Sequence, residues 1–408
     1  MIKSAFRDLP REISILVFAS FFVAVGFGIV MPAIPVFAKS FGVSNAAIGL
    51  MVSAFAITRF SSGLISGTLV DRFGERTVFS SGVFMVSFFT LLAGLAQTYH
   101  QLLFFRAAGG LGSSMFSVAA GSVIMRSVDD NHRGHALSVY NGAFLFGGIA
   151  GPAIGGLLSV ISLRAPFFVY SAMLLCSGVV AFFFLKGEKI GKHSSSKNDL
   201  NPTSISQALK MKPYRIALVL TFIFTWVFFG LRASILPVFV TEQLHSTTTV
   251  VGFGFAISAI LQGVFILPAG RYSDEKGRRL ASVIGVNIGF VGIFFLAIST
   301  QVWMFIVSML IFGLAGAYLS TTPSSIVGDI IKGKGGKVIA IFQMAGDAGM
   351  MVGPIVIGWI SDLYSYRTAF ALSAVIFLIA IYLAYQLPET RNSDGPQVNN
   401  LKPIDEDL

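Results

Sequence analysis

Apolar residues run through this chain in long blocks, and polar residues are confined to the gaps between them. A helix rises 1.5 Å per residue, so about 20 residues cross ~30 Å of hydrocarbon. Twelve blocks of that order are read, at 13–37, 46–68, 78–98, 102–125, 135–159 and 166–185, then 214–238, 248–269, 280–299, 302–326, 338–360 and 368–387. They are apolar on every face. Strands of a membrane barrel would instead alternate apolar and polar over about 10 residues. The pattern predicts an all-α membrane protein of twelve transmembrane helices and excludes a barrel. The first block is longer than a signal-peptide core of roughly 7–15 residues, so it is read as a retained span. Residues 186–213 form the one long polar stretch before the tail. They are expected to be a linker between a bundle at 13–185 and a bundle at 214–387, with polar tails at 1–12 and 388–408.

The two halves repeat each other. Gly67-Thr-Leu-Val-Asp71-Arg-Phe-Gly74-Glu-Arg76 returns as Gly270-Arg-Tyr-Ser-Asp274-Glu-Lys-Gly277-Arg-Arg279, 203 positions later. Gly147-xxx-Gly151-Pro152 returns as Gly349-xxx-Gly353-Pro354, and Pro35 as Pro237, each 202 positions later. Three matches at one offset to within a residue imply two pseudo-symmetric six-helix bundles packed as a pair. A cavity between such bundles, exposed to each side in turn as they rock, is the geometry of a transporter.

Composition agrees. Of 408 residues 54% are hydrophobic and 12% charged, where soluble domains carry about 25% charged residues. A water-soluble enzyme is excluded. The net charge of +10 would suggest nucleic acid in a soluble chain, but here its distribution decides. Twenty-three of the 29 Lys and Arg fall on the side that would hold both termini, three on the other side and three inside spans. By the positive-inside rule both termini are cytoplasmic, in a multi-pass protein of the plasma (inner) membrane. The bias accounts for the basic charge without nucleic acid. A single cysteine, Cys176, excludes an internal disulfide.

The loop after the second span, with Gly67, Asp71, Arg72, Gly74 and Arg76, has the form G-x-x-x-D-R-x-G-x-R. It resembles the signature of the major facilitator superfamily, and the resemblance covers the twelve spans. Glu75 departs from the family pattern, as does Glu275 in the second copy, which holds Gly270, Asp274, Gly277, Arg278 and Arg279. The glycines allow a tight turn. Asp71, at a helix end, is suited to accept from a neighbouring helix N-terminus. The resemblance implies a cross-half latch there; the alternative is a solvated positive-inside turn. Arg106-Ala-Ala-Gly-Gly110-Leu-Gly112 resembles the family's R-x-x-x-G-x-G pattern, whose Arg is linked to proton transfer. Snorkelling to the near interface is the other reading of Arg106. Gly147, Gly151, Pro152, Gly155 and Gly156 fit G-x-x-x-G-P-x-x-G-G, which the family associates with exporters, especially drug–proton antiporters. Small residues four apart let helices approach closely, and Pro152 can bend the span.

Asp347 is the one acid deep in a span, and Arg59 in the second span lies at a similar depth. Burial raises a carboxylate's pKa and a nearby Arg lowers it. Such a pair suits proton coupling; a substrate-cation site and a structural ion pair are the other roles open to it. Asn141, Gln262 and Gln343 are polar residues at repeat-related positions that could face the cavity. Arg232 would attract anionic groups or snorkel. Phe27, Met31, Met115, Trp226, Phe229 and Tyr318 would give a soft pocket for lipophilic ligands, or serve as ordinary packing.

Several chemistries lack their residues. Gly328-Asp-Ile-Ile-Lys-Gly333-Lys334-Gly335 nearly fits a phosphate-binding loop, but its last position has no hydroxyl. His132-Arg-Gly-His135 has no further ligands for a metal. No nucleophile–base set stands out, so neither enzyme nor cofactor is expected. The first span reads Ala24-Val-Gly26-Phe-Gly28, without the Asp of many drug–proton antiporters of the family, which shifts weight to Asp347. The leading expectation is a monomeric transporter exporting drugs or other lipophilic small molecules in exchange for protons. The alternatives are a proton-coupled nutrient symporter, for a sugar, organic acid or siderophore, and a non-transporting membrane sensor.

Overall fold

A computed structural model describes residues 10–127, 133–185, 204–330 and 336–390, and every regular element among them is helical. The tails 1–9 and 391–408, residues 186–203 of the expected linker, His132 and residues 331–335 of the loop-like motif lie outside the described residues.

Twelve rods make the fold. Spans 1–6 comprise Arg11–Val30 continued by Ala33–Lys39, Asn45–Ser61 continued by Gly63–Phe73, Glu75–Leu95, Tyr99–Ser127, Arg133–Ile161 and Ala165–Phe184. Span 7 runs through Lys212–Thr225, Trp226–Ile235 and Leu236–Glu242. Spans 8–12 are Thr248–Lys276, Arg278–Ala297, Val302–Ile330, Gly336–Leu363 and Tyr366–Tyr385. Ten helices among the described residues are each long and apolar enough to cross a membrane, and the broken span 2 is the eleventh. Arg133–Ile161, whose side chains are described in part, completes twelve.

The breaks have local causes. Pro32 lacks an N–H and divides span 1. Span 2 bends by 46° at Ser62, where the Ser62 hydroxyl donates back to the carbonyls of Thr58 (2.7 Å) and Arg59 (3.2 Å). Such back-bonding beside a Ser-Gly step bends helices. In span 7 Trp226–Ile235 is π-helical. Pro237 withdraws the N–H that the Ala233 carbonyl would take in an α-helix.

Several helices outrun their apolar blocks. Span 2 continues to Phe73, span 8 to Lys276 and span 10 to Ile330, so most of the loop motif is helical rather than loop. Hydrophobicity measures only the length in hydrocarbon, while a helix satisfies its backbone equally well in the polar layer beyond. The turn itself is reduced to Gly74 (φ 81°) and Gly277 (φ 107°), in a region that favours glycine. Part of the expected linker is also ordered: Ile205–Lys210 is a helix started by a Ser204–Gln207 capping box.

Spans 1, 3, 4 and 6 and spans 7, 9, 10 and 12 fill two interiors with fully buried rings, Phe79 and Phe167 in the first and Tyr214, Phe305, Phe370 and Phe377 in the second. Apolar side chains such as Phe104 and Phe183 face outward, as lipid requires. Trp303, Trp359 and Tyr364 ring one end of the bundle, and Tyr382 and Tyr385 the other. The end carrying Pro10 and Thr390 is called the basic side below, and the other the far side.

Candidate functional site

The halves meet along two seams, span 2 with span 11 and span 5 with span 8. Glycine makes both. A Cβ on Gly49 would strike the Pro354 carbonyl, and one on Gly252 would strike the Pro152 carbonyl. A Cβ on Gly358 would lie 3.0 Å from Ala46 Cα, and one on Gly156 would lie 3.0 Å from Thr249 Cα. These pairs are repeats of one another. The same motif also grips its own half. A Cβ on Gly151 would lie 2.6 Å from Gly28 Cα, and one on Gly353 would lie 3.2 Å from Gly230 Cα. Gly147 is pressed on Ala24, and Gly155 on the Ile29 carbonyl. The motif therefore has two faces. Gly147, Gly151 and Gly155 seat span 5 on span 1, while Pro152 and Gly156 seat it on span 8.

Both seams lie toward the far side, where a polar cluster crosses between halves. Asp362, at the end of span 11, accepts the Asn45 N–H (2.8 Å) and the Ala46 N–H (2.7 Å) at the start of span 2. Ser44 takes the Ala47 N–H (3.2 Å), so three of the helix's orphan donors are satisfied. Lys39 pairs with Glu242 at 3.7 Å, and the Tyr366 hydroxyl donates to Glu242 at 2.7 Å. On the basic side span 2 parts company with span 11. The segment Gly63–Phe73 packs on spans 3 and 4 of its own half, and Leu64 is 91% exposed.

Between the far-side closure and the basic end, where span 2 leaves span 11 among the described residues, lies a layered site. Phe55 and Ala56 of span 2 and Met350 of span 11 are buried together, with Phe229 and Met351 against them. Arg59 is one turn below Phe55, and Asp347 one turn below Met350 and Met351, on the same helix faces. The Arg59 guanidinium lies within electrostatic reach of the Asp347 carboxylate, without forming an ion pair within 4.0 Å. Tyr140 of span 5 also lies within reach of Arg59. Thr225 donates to the Gly346 carbonyl at 2.7 Å and anchors the Asp347 turn to span 7. Arg106 does not snorkel. It is 8% exposed, and its guanidinium sits 4.6 Å from the Phe55 ring, holding the layer from behind.

The remaining sequence candidates are dispersed. Of the pocket set, Phe229 reaches the seam. Met115 turns into its own bundle, with its Cβ against Gly82 of span 3. Trp226 is buried and donates to Ser373 of span 12 at 3.4 Å. Tyr318 faces Tyr272 and Gly285, and Gln262 faces Gly316 and Ser320. Phe27 is half-buried and Met31 buried, both in the first half, whereas Gln343 is exposed; the Asn141 side chain lies outside the described residues.

In the loop motif Gly67 and Gly270 face open space, and Asp71, Arg72 and Arg76 lie at the basic end of spans 2 and 3. Glu75 is buried and accepts from Ser122 (3.0 Å). In the second copy Arg278 binds Asp274 and, at 3.0 Å, Asp329. Glu389 accepts the N–H groups of Arg278 (2.8 Å) and Arg279 (3.2 Å), capping span 9.

Sequence reasoning missed Phe55, Met350, Asp362 and Glu389. The first two carried no signal among 40 Phe and 13 Met. The acids sit at helix ends, where a solvated charge is the default.

The model of the Major Facilitator Superfamily matches residues 16–233 and again 217–404. An uncharacterized MFS-type transporter of Methanocaldococcus jannaschii is 23% identical over 92% of this chain and 98% of its own length. Multidrug resistance protein MdtG of Salmonella arizonae is 26% identical over 92% of this chain and 96% of its own. Among solved structures, a bacterial homolog of the human lysosomal transporter Spinster, inward-facing and unoccupied, superimposes with a TM-score of 0.78 at 16% identity, covering 93% of this chain and 97% of that one. The nucleoside transporter NupG gives 0.68 at 14% identity, covering 92% and 98%.

Proposed function

The chain belongs to the Major Facilitator Superfamily, and on that premise we propose that it exports lipophilic, drug-like molecules in exchange for protons by alternating access. One observation carries the reading. Cross-half packing closes the far side, and below it, toward the basic end, Asp347 and Arg59 of opposite halves lie within electrostatic reach of each other. With the basic side taken as cytoplasmic, this is the inward-open state of a transporter of the inner membrane. A ligand entering from the cytoplasm meets the carboxylate, the guanidinium and a ceiling of Phe55, Phe229, Met350 and Met351. Rings and thioethers suit varied apolar ligands. Asp347 is the proton site: protonation releases its attraction to Arg59, and deprotonation restores it. In the outward-open state the basic ends close, and Asp71 takes up a latch like that of Asp362. The gripping motif on span 5 and the multidrug relatives support export.

The test is flux in everted vesicles with an imposed acid-inside gradient, using a lipophilic cation dye and a tetracycline. The wild type accumulates drug and releases protons. Asp347→Asn loses gradient-driven accumulation by at least tenfold while dye binding remains. Uphill accumulation by that variant would remove Asp347 as the proton carrier. Accumulation of a sugar or nucleoside with proton entry would replace export by uptake.

A further inference from the structure

The second half contains a buried charge that the transport site does not use. Arg232 lies on the π-helical stretch of span 7 and is 6% exposed. Its guanidinium is held between two rings, 4.8 Å from Phe228 and 4.6 Å from Phe255. Nη2 donates to the Phe255 carbonyl at 3.1 Å, while Nε is buried without a partner. Among the described residues no carboxylate comes within 4.0 Å of it. A cation inside a membrane span is costly to bury and is ordinarily paired. Two aromatic faces and one carbonyl acceptor offset part of that cost without supplying a counter-charge. No opposite charge balances it among the described residues, and its inward bond to Phe255 shows that it does not reach for the interface.

Arg232 lines a cavity of about 30 Å³ within the second bundle, among spans 7, 8, 9, 10 and 12. Phe228 shares this cavity, whereas the adjacent Phe229 points to the seam between halves. The second polar group in the wall is Gln262. Its amide nitrogen makes contacts of 3.4 Å and 3.5 Å to Gly316 and Ser320, longer than ordinary hydrogen bonds. The free donating capacity in the wall is therefore a guanidinium Nε–H and a weakly engaged amide. Gly289 and Gly316 make room around them. A buried cation with a free N–H, beside an amide that can turn its nitrogen inward, selects an anion. Room for two or three bodies of water size, at roughly 10–15 Å³ each, selects a compact one.

We propose that Arg232 and Gln262 form a binding site for a small monovalent inorganic anion of halide size, inside the second bundle and separate from the transport cavity. The ion neutralises the guanidinium and braces the π-helical stretch of span 7 against spans 8 and 10. The site does not depend on what the protein transports.

The test is thermal unfolding of the purified full-length protein in detergent, titrating chloride against gluconate at constant ionic strength. A ligand of the native state raises the midpoint along a saturating binding curve. The wild type is expected to show that rise with chloride and bromide and none with gluconate. Arg232→Gln abolishes the saturable rise. If that variant does not fold, Gln262→Leu keeps the cation and moves the chloride midpoint up by about tenfold, the loss of one charge-assisted hydrogen bond. A wild-type rise that is absent or does not saturate overturns the proposal. So does a saturable rise that persists in folded Arg232→Gln, or, where that variant does not fold, one with an unmoved midpoint in Gln262→Leu.

Discussion

The two seams between the halves share one backbone plan and differ in how they are finished. Gly49 meets the carbonyl of Pro354 as Gly252 meets that of Pro152, and Gly358 and Gly156 repeat the contact one turn on. Span 2 is then locked by Asp362, which accepts two of its N-terminal N–H groups. Among the described residues span 8 has no such lock. Its N-cap, Thr247, makes no side-chain capping bond, and the cross-half bond there is Thr249 to the Gly156 carbonyl at 3.2 Å. Where the first lock has Asp362, the repeat places Val160. Duplication therefore reproduces the close backbone approach, which depends on missing side chains. The charge that closes one seam was placed once. The 2–11 seam is the latched one, and the 5–8 seam is free to act as the smoother bearing.

The largest effect is expected from removing the approach itself. Gly49→Ala and Gly252→Ala each drive a methyl into a backbone carbonyl that has no side chain able to yield. Overpacking of this kind costs about 1–3 kcal/mol, and separation of the halves at the far side relieves it. Both variants should lose most transport, and spin labels on the far ends of spans 2 and 11 or 5 and 8 should move apart. Gly148→Ala is the control, since a Cβ there meets nothing within 4 Å. Equal label distances in all three would show that the glycines do not set the seam.

Next comes the latch. Asp362→Ala leaves two N–H groups of span 2 without their acceptor. Loss of these exposed, charge-assisted bonds is worth about 1–2 kcal/mol. That shifts the far-closed population by roughly 5–30-fold. The same label pair on spans 2 and 11 reads the shift, and the 5–8 pair should move less. A larger change at 5–8 than at 2–11 would reverse the assignment of latch and bearing.

How much of this the sequence reveals follows from the kind of contact. The repeat in Gly147, Gly151 and Pro152 is visible because close approach tolerates few residues. The number of spans is visible because hydrocarbon thickness fixes their length. Direction within a span is not. Helices apolar on every face carry no stripe to show which side is buried, so Trp226 and Met115 read as cavity residues although each turns into its own bundle. Arg59 and Asp347 stand out in the sequence, because a charge in an apolar run does, and the fold brings them within electrostatic reach of each other. Asp362 and Glu389 do not stand out, since an acid beside a loop looks solvated until its partner helix is in place. Helix ends beyond the apolar blocks, as at Phe73 and Lys276, are hidden for the same reason.

The smallest expected effect transfers the latch. Val160→Asp places a carboxylate on span 5 at the position that the repeat makes equivalent to Asp362, and the start of span 8 has no N-cap side-chain bond. Val160 is 68% exposed, so the substitution displaces no core packing. An acid at an exposed helix N-terminus contributes about 0.3–1 kcal/mol, and salt screens it. The variant should tighten the 5–8 label distance, hold the far side closed longer and slow turnover by up to a few-fold, with the effect fading at high salt. In an Asp362→Ala background it should recover part of the lost closure. An unchanged 5–8 distance at low salt would mean that the difference between the seams lies in helix orientation, beyond what one carboxylate can equalise.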